Sequence, residues 1–328
     1  MQRVEGKQLC LPGLEKGPDM AKLRQASEDL RHFTRATSTI TAYRSDWKAF
    51  VAWCESTGRK SLPCDGDTLN LYITDRLEHG SKIASTEKYV AAILHYHQAE
   101  GLKAPDRTEV RETMAGAKRQ RKEQPRRRSA FSVGELRKMC TKLDRVGSVT
   151  CIRDKSLILL ACATGLRRSN VTALNYSDLR FVPRRGVAVS IASSKTDQEG
   201  KGAVIGVRLG KKELTCPVRA LRVWLSYRGT DPGPLFNPVP NETPQVHRRM
   251  NPETVNGRIK AAAELIGLDP TTYGGHSPRA TCVTGSHLAG TSVLGIMERT
   301  GHTTVEMVKE YLRNADPFAG PDPVAGMF

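Results

Sequence analysis

Several things are missing from this 328-residue chain, and each absence excludes something. Its eight cysteines are scattered, with no C-x-x-C pair among them. Neither a zinc site nor a disulfide framework is implied, and Cys54, Cys140 and Cys162 read as small core residues in apolar helical patterns. No apolar run approaches the roughly 18 residues that a membrane-spanning helix needs, and the N-terminus has no cleavable signal pattern. There is no Walker-type glycine-rich loop ending in Lys-Ser or Lys-Thr, and no evident cluster of metal ligands. The expectation is a cytoplasmic protein in a reducing compartment, with no membrane contact, no metal and no cofactor. Acidic residues are also scarce: 34 Asp and Glu stand against 51 Lys and Arg, a formal charge of +17. Such a surplus points to a polyanionic partner, nucleic acid first, because neutralising phosphates releases counterions.

What is present divides along the chain. Positions 1–20 mix Gly, Pro and charge without period and read as a disordered or loosely held arm. From Ser38 the pattern turns helical, with Ile40, Tyr43, Trp47, Phe50, Val51 and Cys54 recurring at three- and four-residue steps. Asp67 can cap a second helix carrying Leu69, Tyr72, Ile73 and Leu77, and Ser85 a third carrying Tyr89, Val90, Ile93, Leu94 and His97. A fourth follows Pro105 and runs to about Lys122. Positions 21–117 are therefore expected to form an all-helical domain. The stretch KRQRKEQPRRR, Lys118 to Arg128, holds seven basic residues and one acidic one around Pro125. It reads as a basic linker over 118–130, or as the solvated end of the preceding helix.

A second domain is expected over 131–328. Helical patterns cover roughly Ser132 to Leu143 and Arg153 to Cys162. Val187, Val189 and Ile191 then alternate, as do Ile205, Val207 and Leu209, which predicts two antiparallel strands of one hairpin. Pro217 suits a helix start, and another helix is expected near Pro252 to Ile266. The fold class is mainly α with a small antiparallel sheet.

The last third holds the residues suited to chemistry. GGHSPRA places His276 and Arg279 at i and i+3; His302 follows in TGHTTVEMVKEYLRN, and Tyr311 stands nine residues later. Singly each has a bland explanation: a core tyrosine, a capping histidine, a structural ion pair. Together they offer cationic clamps for a phosphate and a phenolic nucleophile on a helix, with Arg167 after Ala-Thr-Gly-Leu and Lys195 in a turn as further candidates.

At these residues the chain resembles the tyrosine site-specific recombinases and integrases, and within them the Cre type. The resemblance rests on ATGLRRSN (Ala163 to Asn170), SSKT (Ser193 to Thr196), GHSPR (Gly275 to Arg279) and the closing TGHTTVEMVKEYLRN, and WKAFVAWCESTGRK looks like part of the family's core-binding domain. It covers most of 25–314 and implies a two-domain, C-shaped DNA clamp. By resemblance Arg167 and Arg279 are the two catalytic arginines, His276 opens the H-x-x-R box, and His302 takes the position of the family's His or Trp. Tyr311 is the nucleophile and Lys195 the general acid, with Lys201 as the competing assignment.

The implied reaction cleaves and rejoins DNA through a 3′-phosphotyrosyl bond. The implied partners are double-stranded DNA with inverted-repeat half-sites and a homotetramer that exchanges strands through a Holliday junction. Type IB topoisomerase-like relaxation and a catalytically silent DNA-binding regulator are the alternatives. Asn170 stands where the family usually has an acidic residue, and only ADPFAGPDPVAGMF follows Asn314, where members commonly end in a docking helix. Arg44, Lys48, Lys82, Lys88, Lys118, Arg119, Arg121, Lys122, Arg258 and Lys260 are candidate DNA contacts, more suited to phosphate than to base edges.

Overall fold

The structure is a computed structural model and describes residues 19–24, 37–123, 128–192 and 202–312. Most of the expected N-terminal arm, Lys195, Lys201 and the segment after Leu312 lie outside the described residues. The chain splits into two compact units, meeting in sequence between Pro125 and Arg126. Among the described residues no helix is long and apolar enough to cross a membrane.

From Thr37 on, the described residues of the first unit form the helices α1 (Thr37–Ser56), α2 (Gly66–Glu78), α3 (Ile83–Ala99) and α4 (Thr108–Arg121). The apolar steps converge on one core of Phe50, Cys54, Leu69, Tyr72, Ile73, Leu77, Ile93 and Val110. His97 is fully buried there, its Nε2 accepting from the Cys64 amide at 3.0 Å and its Nδ1 donating to Ile93 O at 2.8 Å. Two helix starts differ from expectation. Asp65, not Asp67, caps α2, because its carboxylate reaches the Thr68 amide at 2.8 Å, while Asp67 pairs with Arg59. Ser85 lies inside the first turn of α3, which starts at Ile83 behind Lys82 without a side-chain cap.

The basic stretch is partly helical. Its first residues finish α4, and Arg121 donates to Ser81 O at 3.0 Å and to Leu77 O. Lys118 pairs with Glu87 at 2.7 Å.

The second unit opens with α5 (Val133–Val146), fixed by a capping box between Ser132 and Glu135. α6 (Val149–Thr164) is buried along most of its length, with Leu157, Ile158, Leu160 and Ala161 in the main core. The short α7 (Arg168–Ala173) follows, then a three-stranded antiparallel sheet in the order β1 (Leu179–Val182), β2 (Gly186–Ile191), β3 (Ala203–Arg208). Val189 pairs with Ile205 and Val187 with Val207, so one face of the expected hairpin enters the core. β1 escapes a period-2 reading because it is an edge strand with no fully buried residue.

Pro217 opens α8 (Pro217–Arg228), whose Trp224 is fully buried, and α9 (Pro252–Glu264) opens on Pro252. α10 (Ser277–Leu288), α11 (Val293–Thr300) and α12 (Val305–Leu312) are the last elements among the described residues. α10 packs on α6, and α11 and α12 pack on α10 around Val283, Ile296 and Val308. That small satellite core brings the motif-bearing helix ends together.

Candidate active site

The site is assembled from helix ends. α6 stops at Thr164 because Gly165 takes the left-handed conformation, φ +68°. The chain then extends through buried Leu166 to Arg167, which holds φ −68°, ψ 151° and precedes α7. This short irregular step places Arg167 on the wall of a cleft of about 940 Å³. His276, Arg279, His302 and Tyr311 line the same cleft. Five of the six candidate catalytic residues are thus brought together, and Lys195 lies outside the described residues.

Arg279 sits in the first turn of α10 and is 2% exposed. Its Nη1 donates to Gly165 O at 2.7 Å and Thr300 O at 2.5 Å, and its Nε donates to His302 Nε2 at 3.2 Å. A guanidinium has five N–H donors, so the pair on Nη2 remains, and Nη2 is buried without a hydrogen-bond partner. The Tyr311 phenol lies against the same guanidinium and favours its charged form, although it completes no hydrogen bond of full geometry to Nη2. Burial foremost, then Arg167, pulls the Arg279 pKa down. Among the described residues neither Arg167 nor Arg279 forms an ion pair with a carboxylate.

His276 precedes α10, and the two glycines before it permit a close approach. The Gly275 amide donates to Asn256 Oδ1 of α9 at 2.9 Å, and the Gly274 amide to Ser277 Oγ at 3.1 Å. A Cβ on Gly274 would meet Asn256 Oδ1 at 2.6 Å, and one on Gly275 would meet Arg168 Cδ at 2.9 Å. The ring is open to the cleft, yet its pKa is lowered, by desolvation first and then by Arg168, Arg279, Arg167 and Arg128. His276 is therefore a neutral base among four cations at neutral pH.

His302 follows α11, which Gly301 ends in the left-handed conformation, and its amide bonds back to Met297 O at 3.2 Å. The ring is 5% exposed, and burial, with Arg279 and Arg167, pushes its pKa down to about 4. Its Nδ1 meets Thr300 Oγ1 at 2.7 Å, and its ring lies 5.4 Å from that of Tyr311. Tyr311 itself packs one side on the Val283, Ile296, Val308 cluster while lining the cleft, so the core role and the cleft position coexist.

Asn170 is half-buried in an adjoining pocket with Arg167, Arg279 and His302. Its backbone N–H donates to Arg167 O at 2.9 Å. Four residues of this surrounding went unnoticed in the sequence: Arg128, Arg168, Asn256 and Thr300. Arg168 was signalled only by the Arg-Arg doublet, Arg128 by the basic stretch and Thr300 by opening the TGHTTVEMVKEYLRN motif; Asn256 carries no local signal. Among the described residues no three His, Cys, Asp or Glu side chains group as a metal site.

The candidate DNA contacts fall into two kinds. Arg44, Lys48, Lys82, Lys88, Arg119 and Lys122 are exposed. Lys118 and Arg121 are engaged within the first unit as described above. Arg258 is bound to buried Asp154 at 2.5 Å and Lys260 is half-buried.

A cleft with two uncompensated guanidiniums, two histidines and a phenol is what the motifs anticipate, and comparison with known proteins decides the family. The phage integrase family matches residues 129–317. The chain belongs to that family. As a tyrosine recombinase it is an enzyme of a kind that cleaves and rejoins DNA. It is 30% identical over 289 residues to an integrase/recombinase xerD homolog of Selenomonas ruminantium, covering 87% of this chain and 84% of that one. With the recombinase Cre of Escherichia phage P1 it shares 22% identity over 290 residues, 83% of each chain. Among solved structures, a lambda integrase tetramer bound to a Holliday junction matches with a TM-score of 0.59 at 16% identity, over 89% of this chain and 76% of that one. That likeness shows the recombinase fold.

Proposed function

We propose that this recombinase cuts and rejoins duplex DNA at inverted-repeat half-sites, with Tyr311 as the nucleophile. Arg279 carries the reading: a buried cation whose Nη2 has no partner, in a cleft shared with a phenol, is poised for an anion. Leaving such a charge unpaired is costly, and a phosphate oxygen satisfies it with charge-assisted hydrogen bonds.

Arg167 and Arg279 hold the non-bridging oxygens of the scissile phosphate and stabilise the charge that builds on them. Tyr311 Oη attacks phosphorus and passes its proton to His276, whose lowered pKa keeps it neutral and able to accept. The bond to the 5′ oxygen breaks, and Lys195 gives that oxygen a proton, leaving a 3′-phosphotyrosyl link and a free 5′-hydroxyl. Attack by another 5′-hydroxyl reverses each step, so the bond energy is conserved and no nucleotide is consumed. Exposed Arg44, Lys48, Lys82 and Lys88 contact the DNA backbone from the first unit. Strand exchange proceeds in a tetramer through a Holliday junction, in keeping with the assembly reported for lambda integrase.

The test is covalent trapping on a pool of nicked duplexes with randomised sequence, comparing the wild type with Tyr311→Phe on a denaturing gel. The expected result is an adduct with the wild type and none with the variant. Retained DNA binding with no adduct from either protein favours a silent regulator. An adduct that relaxes supercoils without exchanging strands favours a topoisomerase.

A further inference from the structure

Thr300 closes α11 with its side chain 7% exposed. Its hydroxyl lies 2.6 Å from Ile296 O, one turn earlier. A carbonyl oxygen only accepts, so the hydroxyl hydrogen is committed there. Toward His302 Nδ1, 2.7 Å away, the same oxygen can then only accept, and Nδ1 carries the proton. A neutral imidazole has one N–H, so Nε2 keeps its lone pair. That lone pair receives the Nε–H of Arg279 at 3.2 Å.

The opposite tautomer would set an N–H of His302 against the N–H of Arg279 and break this contact. The guanidinium would then be held only through Nη1, by Gly165 O and Thr300 O. Two bonds from one nitrogen leave a pivot, and the third bond from Nε fixes the plane. The backbone and side chain of Thr300 therefore act on the same arginine.

We propose that Thr300 is a positioning residue for strand cleavage: by holding His302 in its Nδ1-protonated form it sets the Arg279 guanidinium so that Nη2 meets the phosphate. This rests on the reading of the cleft given above as a phosphate site. The charged and titratable groups facing His302 are Arg279 from α10, Arg167 ahead of α7 and Tyr311 from α12. Glu298 and Arg299 of α11 line the pocket beside it, and Glu310 of α12 lines the cleft.

The experiment has two arms on the full chain. In the first, nitrogen-15 NMR of labelled histidine rings, with His302 assigned by its loss in His302→Gln, reads the tautomer without DNA. The expected signature is a protonated Nδ1 and a bare Nε2 down to about pH 5. A protonated Nε2 in the wild type would overturn the proposal, and this arm stands even where the Thr300 variants do not fold. In the second arm, adduct formation on the nicked substrate is timed for Thr300→Ser, which keeps the hydroxyl, and Thr300→Val, which keeps the shape.

Thr300→Ser should stay within a few-fold of the wild type, and Thr300→Val should slow on the order of tenfold, the worth of one hydrogen bond. In the His302→Gln background Thr300→Val should cost nothing further, because the residue it acts through is gone. Equal slowing by Ser and Val, or a full additional loss in the His302→Gln background, would reduce Thr300 to a packing residue. A wild type forming no Tyr311-dependent adduct would defeat the functional reading instead, and the ring nitrogens would still decide the tautomer.

Discussion

Gly165 is where fold and chemistry meet, and replacing it with alanine separates the two. Gly165 and Gly147 end consecutive helices with nearly the same backbone, φ +68° and +67°. A Cβ at 147 would find only Asp144 O at 3.6 Å, an ordinary contact. At 165 it would stand 2.7 Å from Thr300 Cγ2 and 3.1 Å from Cys282 Sγ. The left-handed conformation alone costs an alanine roughly 1 kcal/mol, and forced overpacking adds roughly 1–3 kcal/mol. Gly147→Ala should therefore lose about 1 kcal/mol and Gly165→Ala about 2–4 kcal/mol.

For a unit of about 200 residues these losses correspond to melting decreases of roughly 2–4 °C and 5–15 °C, read by scanning calorimetry on the full chain. Because Gly165 O also holds Arg279 Nη1, Gly165→Ala should slow adduct formation while Gly147→Ala leaves it unchanged. Thr300→Ser removes Cγ2 and should recover part of the Gly165→Ala loss, a coupling between touching residues. Equal destabilisation by the two alanines would refute the packing argument.

Three other outcomes are expected. Arg279→Lys supplies one ammonium where Gly165 O, Thr300 O and His302 Nε2 need a fork, and timed trapping should show adduct formation down roughly 10²–10³-fold with DNA binding retained. Asp154, 1% exposed between Arg153 at 2.7 Å and Arg258 at 2.5 Å, should cost roughly 3 kcal/mol in urea unfolding when changed to Asn, because both guanidiniums lose a buried counter-charge. His302 titrates near 4 in the folded protein against about 6.5 unfolded, so the unfolded chain binds more protons between those values. Its contribution is complete above about pH 6.5 and is lost as pH falls toward 4, roughly 3 kcal/mol in all. Lowered His276 acts in the same direction. Urea midpoints at pH 4.5 and 7.5 should differ less in His302→Gln than in the wild type; an unchanged difference would contradict the assignment.

Much of the secondary structure was legible because it is local. The three- and four-residue steps of Phe50, Cys54, Leu69, Tyr72 and Ile73 mark faces that share one core, and Val187, Val189, Ile205 and Val207 mark paired strands. Prolines 217 and 252 stand at helix starts, where a missing amide hydrogen costs nothing. Boundaries were less legible: the choice of Asp65 over Asp67 turns on which carboxylate reaches a free amide, and neighbouring acids look alike in sequence. The half-exposed β1 lacks the alternation by which strands are read. Lys118 and Arg121 read as linker charges, yet they bond to Glu87, Ser81 and Leu77, far enough along the chain that no local pattern links them.

The sequence by itself determined the family, the mainly helical class and the identity of the motif residues, since these depend on residue type and short spacing. Only the tertiary structure decided that Arg279 donates across the chain to Gly165 O, that Asn256 braces the Gly275 amide, and that the Thr300 hydroxyl meets His302 Nδ1. Hydrogen-bond direction and burial belong to groups that meet in space. Arg279 and its carbonyl partner stand 114 positions apart, a stretch that carries no periodic trace of their meeting, which packing among α6, α10, α11 and α12 alone brings about.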